Sequence, residues 1–170
     1  GSLTVAISTA DSILRDHSVY WGQMGDVAGV WRFRATNEAQ LLETLQFGEM
    51  DIGGTQETDL ATNAKAVYLE YKNKAGTTLT KTGTFSDVGT ISFGFSDPDG
   101  SGPLPDERPY VPKDGNLDVK LKIDYKSKAD GGATSGKTWD LDFIGDSGTG
   151  TNTFKASGEG SGVILQGNST

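Results

Sequence analysis

Apolar and polar residues alternate over much of this chain, the pattern of strands that have one buried face. Within residues 30–47, Trp31 and Phe33 alternate with arginines, and Leu45 and Phe47 resume the alternation after a polar break. We therefore predict two strands joined by a turn, which pair with each other and are covered by a second layer. A helix over residues 39–45 is the alternative for the second strand, and we favour the strand.

The same alternation predicts about nine or ten short strands in all, and no stretch with helical period is longer than one or two turns. In residues 117–125 the odd-numbered side chains are predicted to point inward and the charged even-numbered ones, Asp124 among them, to face water. Ile123 and Trp139 are predicted to be buried. The other predicted strands cover residues 3–7, 19–20, 66–71, 77–85, 91–95, 139–143, 153–156 and 163–165. The pattern indicates an all-β fold, a sandwich of two antiparallel sheets.

We predict that residues 1–170 form one β-sandwich domain, because a chain of this length can bury a core of its own. Gly1 and Ser2 match the residues that a cloning site leaves behind, so we expect the chain to be a piece of a longer protein. Residues 97–115 are the longest loop and are rich in Pro, Gly and Asp. Because proline cannot donate to a strand ladder, we predict that this segment lies outside the sheets.

Composition narrows the classes of function. The chain has no cysteine, which excludes disulfides and cysteine-based nucleophiles or metal sites. Its formal net charge of −8 opposes binding to nucleic acid or to anionic membranes and favours cations such as calcium. No apolar run approaches the ~20 residues that a bilayer-spanning helix needs, so direct membrane insertion is not expected.

Four segments carry a family resemblance that touches most of the chain after residue 30. They are RFRATNE (32–38), NAKAVYLEYKNKAG (63–76), VPKDGNLDVKLKIDYK (111–126) and FKASGEGSGVILQG (154–167). Together they resemble immunoglobulin-like β-sandwich modules that are repeated in large bacterial and archaeal surface proteins, S-layer-like proteins among them. The resemblance implies a module for building or display, with no catalytic residues, and residues 97–115 look like an insertion into its pattern.

The inserted loop contains a candidate calcium site. Asp97, Asp99 and Ser101 place side-chain oxygens at alternate positions and a glycine follows, which is how a loop wraps calcium. The EF-hand pattern then fails, because an arginine stands where a bidentate glutamate is needed. Asp106 and Glu107 would complete the shell from a different loop geometry. The alternative is an ordinary turn built on Asp and Gly.

Aromatic residues raise the question of carbohydrate binding, because sugars stack on exposed aromatic faces. Trp31 and Trp139 alternate with charged residues and fit the core better. Tyr20, Trp21 and Tyr110 lie in irregular segments and remain candidates for a sugar-binding platform.

The sequence offers few combinations of residues that could form a catalytic site. His17 is the only histidine, and we expect it at the surface or at a sheet edge. Paired acids could support glycoside hydrolysis, but Asp140 and Asp142, like Asp118 and Asp124, alternate with apolar residues and are predicted to form solvated faces.

These observations lead to the expectation of a non-catalytic structural or adhesive module of a multi-domain cell-surface or S-layer-like protein, located outside the cell. Its expected partners are neighbouring modules of the same chain or of a surface lattice. The alternative is a carbohydrate-binding module attached to a secreted enzyme, and an enzyme in its own right is the third hypothesis. A flat row of exposed aromatics on a sheet face or in a groove would favour the sugar-binding alternative.

Overall fold

The computed structural model shows two antiparallel sheets packed face to face, which confirms the predicted all-β sandwich. The residues it describes are 1–8, 17–50, 59–86, 89–95, 107–131, 140–145 and 153–167, without the side chain of Met50. Trp139, which the sequence predicts to be buried, lies outside these residues.

The described residues contain these strands, in chain order: β1 (Ser2–Ile7), β2 (Asp26–Thr36), β3 (Gln40–Met50), β4 (Ala64–Lys72), β5 (Thr78–Thr82), β6 (Thr84–Phe85), β7 (Thr90–Gly94), β8 (Tyr110–Val111), β9 (Asn116–Tyr125), β10 (Asp140–Phe143), β11 (Lys155–Gly158) and β12 (Ile164–Gln166). A helix of five residues, α1 (Asp59–Asn63), precedes β4. Sheet 1 has the order β1-β2-β9-β4-β5. Sheet 2 has the order β12-β11-β3-β7-β6, and β8 and β10 also pair with β3.

The strands β2 and β3 do not pair with each other, so this part of the sequence prediction is wrong. The turn between them carries the chain from sheet 1 to sheet 2, and their apolar faces meet across the core. The ring centroids of Trp31 and Phe47 are 4.6 Å apart. Asn37 has a φ of 71°, and its N–H donates to Oδ1 of Asp114 at 2.8 Å. Because that N–H is bonded to the turn before β9, it does not close a β2–β3 hairpin.

The core confirms most of the predicted facing of strands. On β9 the odd-numbered side chains are buried, with Val119, Leu121 and Ile123 fully enclosed. Asp124 contradicts the pattern, because it was predicted to face water and is only 6% exposed. The cause is the segment that leads into β2, which covers the outer face of β9 at this end of the sheet and hydrogen-bonds the carboxylate.

The long loop leaves sheet 2 and returns to it at neighbouring points on β3. The N–H of Phe95 donates to the Glu43 carbonyl at 2.8 Å, and the N–H of Leu42 donates to the Pro109 carbonyl at 3.0 Å. The loop is thus inserted between β7 and β8, which lie along the same side of β3. Tyr110 and Val111 were predicted to lie outside the sheets and instead pair with β3, because they follow Pro109 and meet the part of β3 that β7 leaves open.

Two further strand predictions need correction. The short strand predicted at Val19 and Tyr20 is absent, since that segment has irregular backbone. The strand predicted over residues 77–85 is split at Gly83 into β5 in sheet 1 and β6 in sheet 2, so the chain itself closes this side of the sandwich. Gly83 lies against the Phe93 ring, where an added Cβ would come within 2.7 Å. In the part of the chain that is described, no helix is long and apolar enough to cross a membrane.

Candidate functional site

A turn with exposed apolar side chains lies at one end of sheet 1, and its residues 20–25 are called the tip turn below. Three of its side chains are large, apolar and open to solvent: Tyr20 is 70% exposed, Trp21 43% and Met24 61%. Gly22 and Gly25 have φ values of 77° and 65°, a backbone conformation that other residues rarely adopt. The sequence places glycine at both points where the turn needs it.

The tip turn is fixed to sheet 1 by backbone hydrogen bonds. The N–H of Gly22 donates to the Lys126 carbonyl at 3.2 Å, and the N–H of Tyr125 donates to the Gln23 carbonyl at 2.8 Å. The turn is also closed on itself, because the N–H of Gln23 donates to the Tyr20 carbonyl at 3.1 Å. These bonds hold the backbone that carries the exposed side chains in a defined position relative to β9.

The carboxylate of Asp26 ties the flank of the tip turn to the sandwich. Its side chain is 8% exposed. Oδ1 lies 2.9 Å from Nε2 of His17 and accepts a hydrogen bond from Nε2 of Gln23 at 2.9 Å, while the Tyr125 hydroxyl donates to Oδ2 at 3.3 Å. His17 itself is exposed, as predicted. Asp26 therefore gathers donors from the segment before β2, from the tip turn and from β9.

The carboxylate of Asp124, on the neighbouring strand β9, also ties the tip turn to the sandwich. The N–H of Gly25 donates to its Oδ1 at 2.7 Å, and the Tyr68 hydroxyl donates to its Oδ2 at 3.0 Å. The hydrogen bond to Asp124 raises the pKa of Tyr68, and burial and the carboxylate charge raise it further. Tyr68 thus stays a neutral donor, and both buried acids of this region serve as acceptors for the fold.

A lysine covers part of the tryptophan of the tip turn. Nζ of Lys128 lies 5.6 Å from the centroid of the Trp21 ring, within the range of a cation–π contact. Lys128 begins a short 3-10 turn that Ser127 and Asp130 cap reciprocally. The backbone of Lys128 is therefore fixed by a local motif, from which the side chain reaches the ring.

The three aromatics predicted to bind sugar do not come together. Tyr20 and Trp21 are neighbours in the tip turn, beside the first residue of β2. Tyr110 lies opposite Leu41, near the start of β3, and so at the other end of the sandwich. It is half-buried, and its hydroxyl donates to Glu159 at 3.0 Å. The described residues show no flat row of aromatics along a sheet face.

Most of the predicted calcium site lies outside the described residues, namely Asp97, Asp99, Ser101 and Asp106. Glu107 is described and exposed. Burial raises the pKa of Tyr71 to about 12, and the charge of Glu107 adds to the effect. Among the residues that the structure describes, no three His, Asp or Glu side chains are grouped closely enough to hold a metal ion.

The base of the inserted loop is held by a charged cluster around Glu43. Nζ of Lys155 lies 2.6 Å from its carboxylate, and Nη1 of Arg108 lies 3.7 Å away. Partial burial opposes ionisation of Glu43, but hydrogen bonds from Lys155 and Ser157 and the two positive charges outweigh it and lower the pKa. The loop therefore leaves from an ordered base.

Sequence reasoning missed Asp26, Asp124 and Met24 as parts of one region. The glycines of residues 22–26 favour a loop, but nothing in the sequence shows that this loop packs on β9, about a hundred residues later. Searches against protein-family models, curated proteins and solved structures found no significant match to this chain.

The role of Asp124 as an acceptor can be tested through its neighbour. In Asp124→Asn the charged partner of the Tyr68 hydroxyl is lost, so we expect the pKa of Tyr68 to fall towards its ordinary value. A pH titration of ¹³C-labelled tyrosine by NMR measures this directly. Asp118→Asn is the matched control, since Asp118 is on the same strand but pairs with Arg32. An unchanged Tyr68 pKa in Asp124→Asn would contradict the assignment.

Proposed function

We propose that this chain is a non-catalytic structural or adhesive module of a multi-domain cell-surface or S-layer-like protein, and that it makes contact with its partner through the tip turn. The observation that carries the proposal is the combination of exposure and order there. Tyr20, Trp21 and Met24 all expose apolar surface within one turn of six residues, and exposed apolar surface that is concentrated in one place marks interaction sites.

The way the tip turn is anchored supports a binding role. Two buried carboxylates, Asp26 and Asp124, and several backbone bonds hold a turn whose large side chains add little to the core. Binding costs free energy for ordering a loop as well as its side chains, with roughly 0.5–1.5 kcal/mol for each immobilised side chain. A turn that is already fixed avoids part of that cost, so the arrangement favours recognition more than it favours folding.

The state of the carboxylates supports a role without catalysis. Asp26 and Asp124 are each engaged by donors of the fold, since the Tyr125 hydroxyl donates to Asp26 and the Gly25 N–H donates to Asp124. Asp140 and Asp142 project into solvent from β10, as the sequence predicts for a solvated face. A glycosidase needs two carboxyl groups that flank a bound sugar, one of them kept protonated.

The composition of the chain supports the proposed location and partners. The acidic, cysteine-free chain suits an extracellular position and disfavours nucleic acid or a membrane as the partner. Neighbouring modules of the same chain, or of a surface lattice, are the partners that the resemblance to repeated surface modules implies. We therefore propose the cell surface as the location of the protein.

One observation favours a second candidate, a carbohydrate-binding module of a secreted enzyme. Tyr20 and Trp21 are adjacent, exposed and aromatic, which is the minimum for stacking on a sugar ring. Tyr110 cannot extend this platform, because it lies at the opposite end of the sandwich. On this hypothesis the platform is therefore limited to the tip turn.

Binding to cells separates these candidates. Fluorescently labelled protein is titrated onto intact cells of the organism that encodes the chain, before and after periodate oxidation of their surface glycans. We expect saturable binding that survives periodate, weakened about tenfold or more in Trp21→Ala, since aromatic anchors commonly contribute over 1.4 kcal/mol. Tyr110→Ala is the matched control and should bind like the wild type.

Two results together would favour the carbohydrate-binding module over the surface module. Periodate would abolish binding to the cells, and the protein would bind a glycan array saturably unless Trp21 is replaced by Ala. An absence of binding to intact cells, or identical binding by Trp21→Ala and wild type, would contradict contact through the tip turn.

Calcium is a further part of the proposal, with Asp97, Asp99, Ser101, Asp106 and Glu107 as the ligands that the sequence indicates. What supports it is the ligand pattern of the loop and the ordered base around Glu43 from which the loop leaves. Extracellular calcium modules commonly bind with a Kd of about 10⁻⁴–10⁻³ M.

The calcium proposal predicts a selective rise in stability. At a hundredfold excess over Kd, calcium should stabilise the fold by about 2.7 kcal/mol, and magnesium less, because it demands a tighter octahedral cage. The unfolding midpoint is compared at equal ionic strength in wild type, Asp97→Asn/Asp99→Asn and the control Asp140→Asn/Asp142→Asn, which removes two exposed charges elsewhere. If calcium does not change the unfolding midpoint, or changes it equally in all three proteins, the loop is an ordinary turn and not a calcium site.

A further inference from the structure

The outer strand of sheet 1, β1, has hydrogen-bonding groups that point away from the sheet. The N–H of Ser8 donates to the Val30 carbonyl at 2.8 Å, continuing the register in which Ala6 lies opposite Arg32. Antiparallel strands alternate between bonded and non-bonded pairs, so the even-numbered residues of β1 bond to β2. The N–H and C=O groups of Leu3, Val5 and Ile7 therefore face outward.

In the part of the chain that the structure describes, no strand pairs with the outer side of β1, and β1 itself lacks the devices that usually protect a sheet edge. The β1 sequence SLTVAI contains no charged residue and no proline, and its register with β2 runs without a bulge. Edge strands normally carry such features, because unpaired strand groups recruit other strands. At the other end of the sheet, β5 carries Lys81 and continues into β6 through Gly83, which closes that side.

The side chain of Ile7 is exposed although it belongs to the core-facing set. Leu3, Val5 and Ile7 share one face of β1, and the first two are half-buried against the core. Ile7 is 63% exposed. On the same side of the sandwich, in sheet 2, Val163 and Ile164 are 55% and 51% exposed. Apolar surface thus accompanies the open edge in both layers.

We propose that β1 pairs antiparallel with β1 of a second copy of this chain, about a two-fold axis at Val5. In this register Val5 lies opposite its own copy, and Leu3 lies opposite Ile7 of the second copy. All the outward groups of the three residues then find partners, and the two five-stranded sheets become one sheet of ten strands. Ile7 gains a covering neighbour on the core face.

The second copy is the occupant that the edge fits best. An unpaired strand edge accepts a strand, and this strand is complementary to itself in antiparallel order. Each copy carries a net charge of −8, yet β1 has no charge, so the copies would meet where local repulsion is least. With the axis perpendicular to the sheets, the sides that carry Val163 and Ile164 also meet. The proposal uses a surface separate from the tip turn and goes beyond the proposed function.

Sedimentation velocity over a range of protein and salt concentrations tests the pairing. We expect a reversible dimer that grows with protein concentration and with salt, which screens the repulsion between acidic copies. Ile7→Glu should remove the dimer at every concentration at which the wild type associates, because pairing would bury its carboxylate. Thr80→Glu, on the exposed face of β5, adds the same charge and should leave the dimer intact. Thermal unfolding confirms that both variants fold.

Amide exchange locates the contact in the unmodified protein. With 90% of the chains paired, the amides of Leu3, Val5 and Ile7 should exchange about tenfold more slowly than in dilute protein, because only the remaining monomer opens them to water. Thr78 and Thr80, whose amides face outward on β5, are the internal reference. A monomer at all concentrations, a dimer unaffected by Ile7→Glu, or protection that omits these three amides would each overturn the proposal. Cell binding through the tip turn should be unchanged in Ile7→Glu, so the two proposals can fail separately.

Discussion

The packing of Trp31 against Phe47 is the contact on which the architecture depends. It exists because three residues, 37–39, carry the chain from one sheet to the other, so that the two longest apolar faces cover each other. Once β2 and β3 lie in different layers, β1 and β9 flank β2, and the shorter strands of sheet 2 line up along β3. The aromatic cluster continues from Phe47 to Phe93 and Phe143.

The same arrangement explains why Asp26 and Asp124, two largely buried acids of sheet 1, lie together at one end of the sheet. The chain enters β2 across the end of β9, and its donors there, one backbone N–H and several side chains, need acceptors. Asp26 and Asp124 supply them, and burial without such partners would cost several kcal/mol for each charge. These two acids fix the backbone of a turn that exposes aromatic side chains. The tip turn thus lies where the strands of sheet 1 end, and the β1 edge lies along the side of the same sheet.

The alternation of residue types predicted what it physically encodes, which is the face of each strand. It placed Leu121 and Ile123 inside and recognised β3 as a strand. It could not predict that β2 and β3 lie in different layers, because alternation specifies a buried face and not the partner strand. Asp124 was misplaced for a related reason: a loop a hundred residues earlier covers it. The pairing of Tyr110 with Leu41 likewise depends on where an inserted loop returns, which only tertiary structure decides.

A double-mutant cycle on Trp31 and Phe47 tests the crossing between layers most directly. Trp31→Leu, Phe47→Leu and the double variant are compared by urea unfolding at constant temperature and pH. If the rings pack across the core, the two substitutions couple by about 0.5–1.5 kcal/mol, the usual value for an aromatic pair. Additive effects, within about 0.3 kcal/mol, would mean that the rings do not touch and that β2 and β3 are arranged differently.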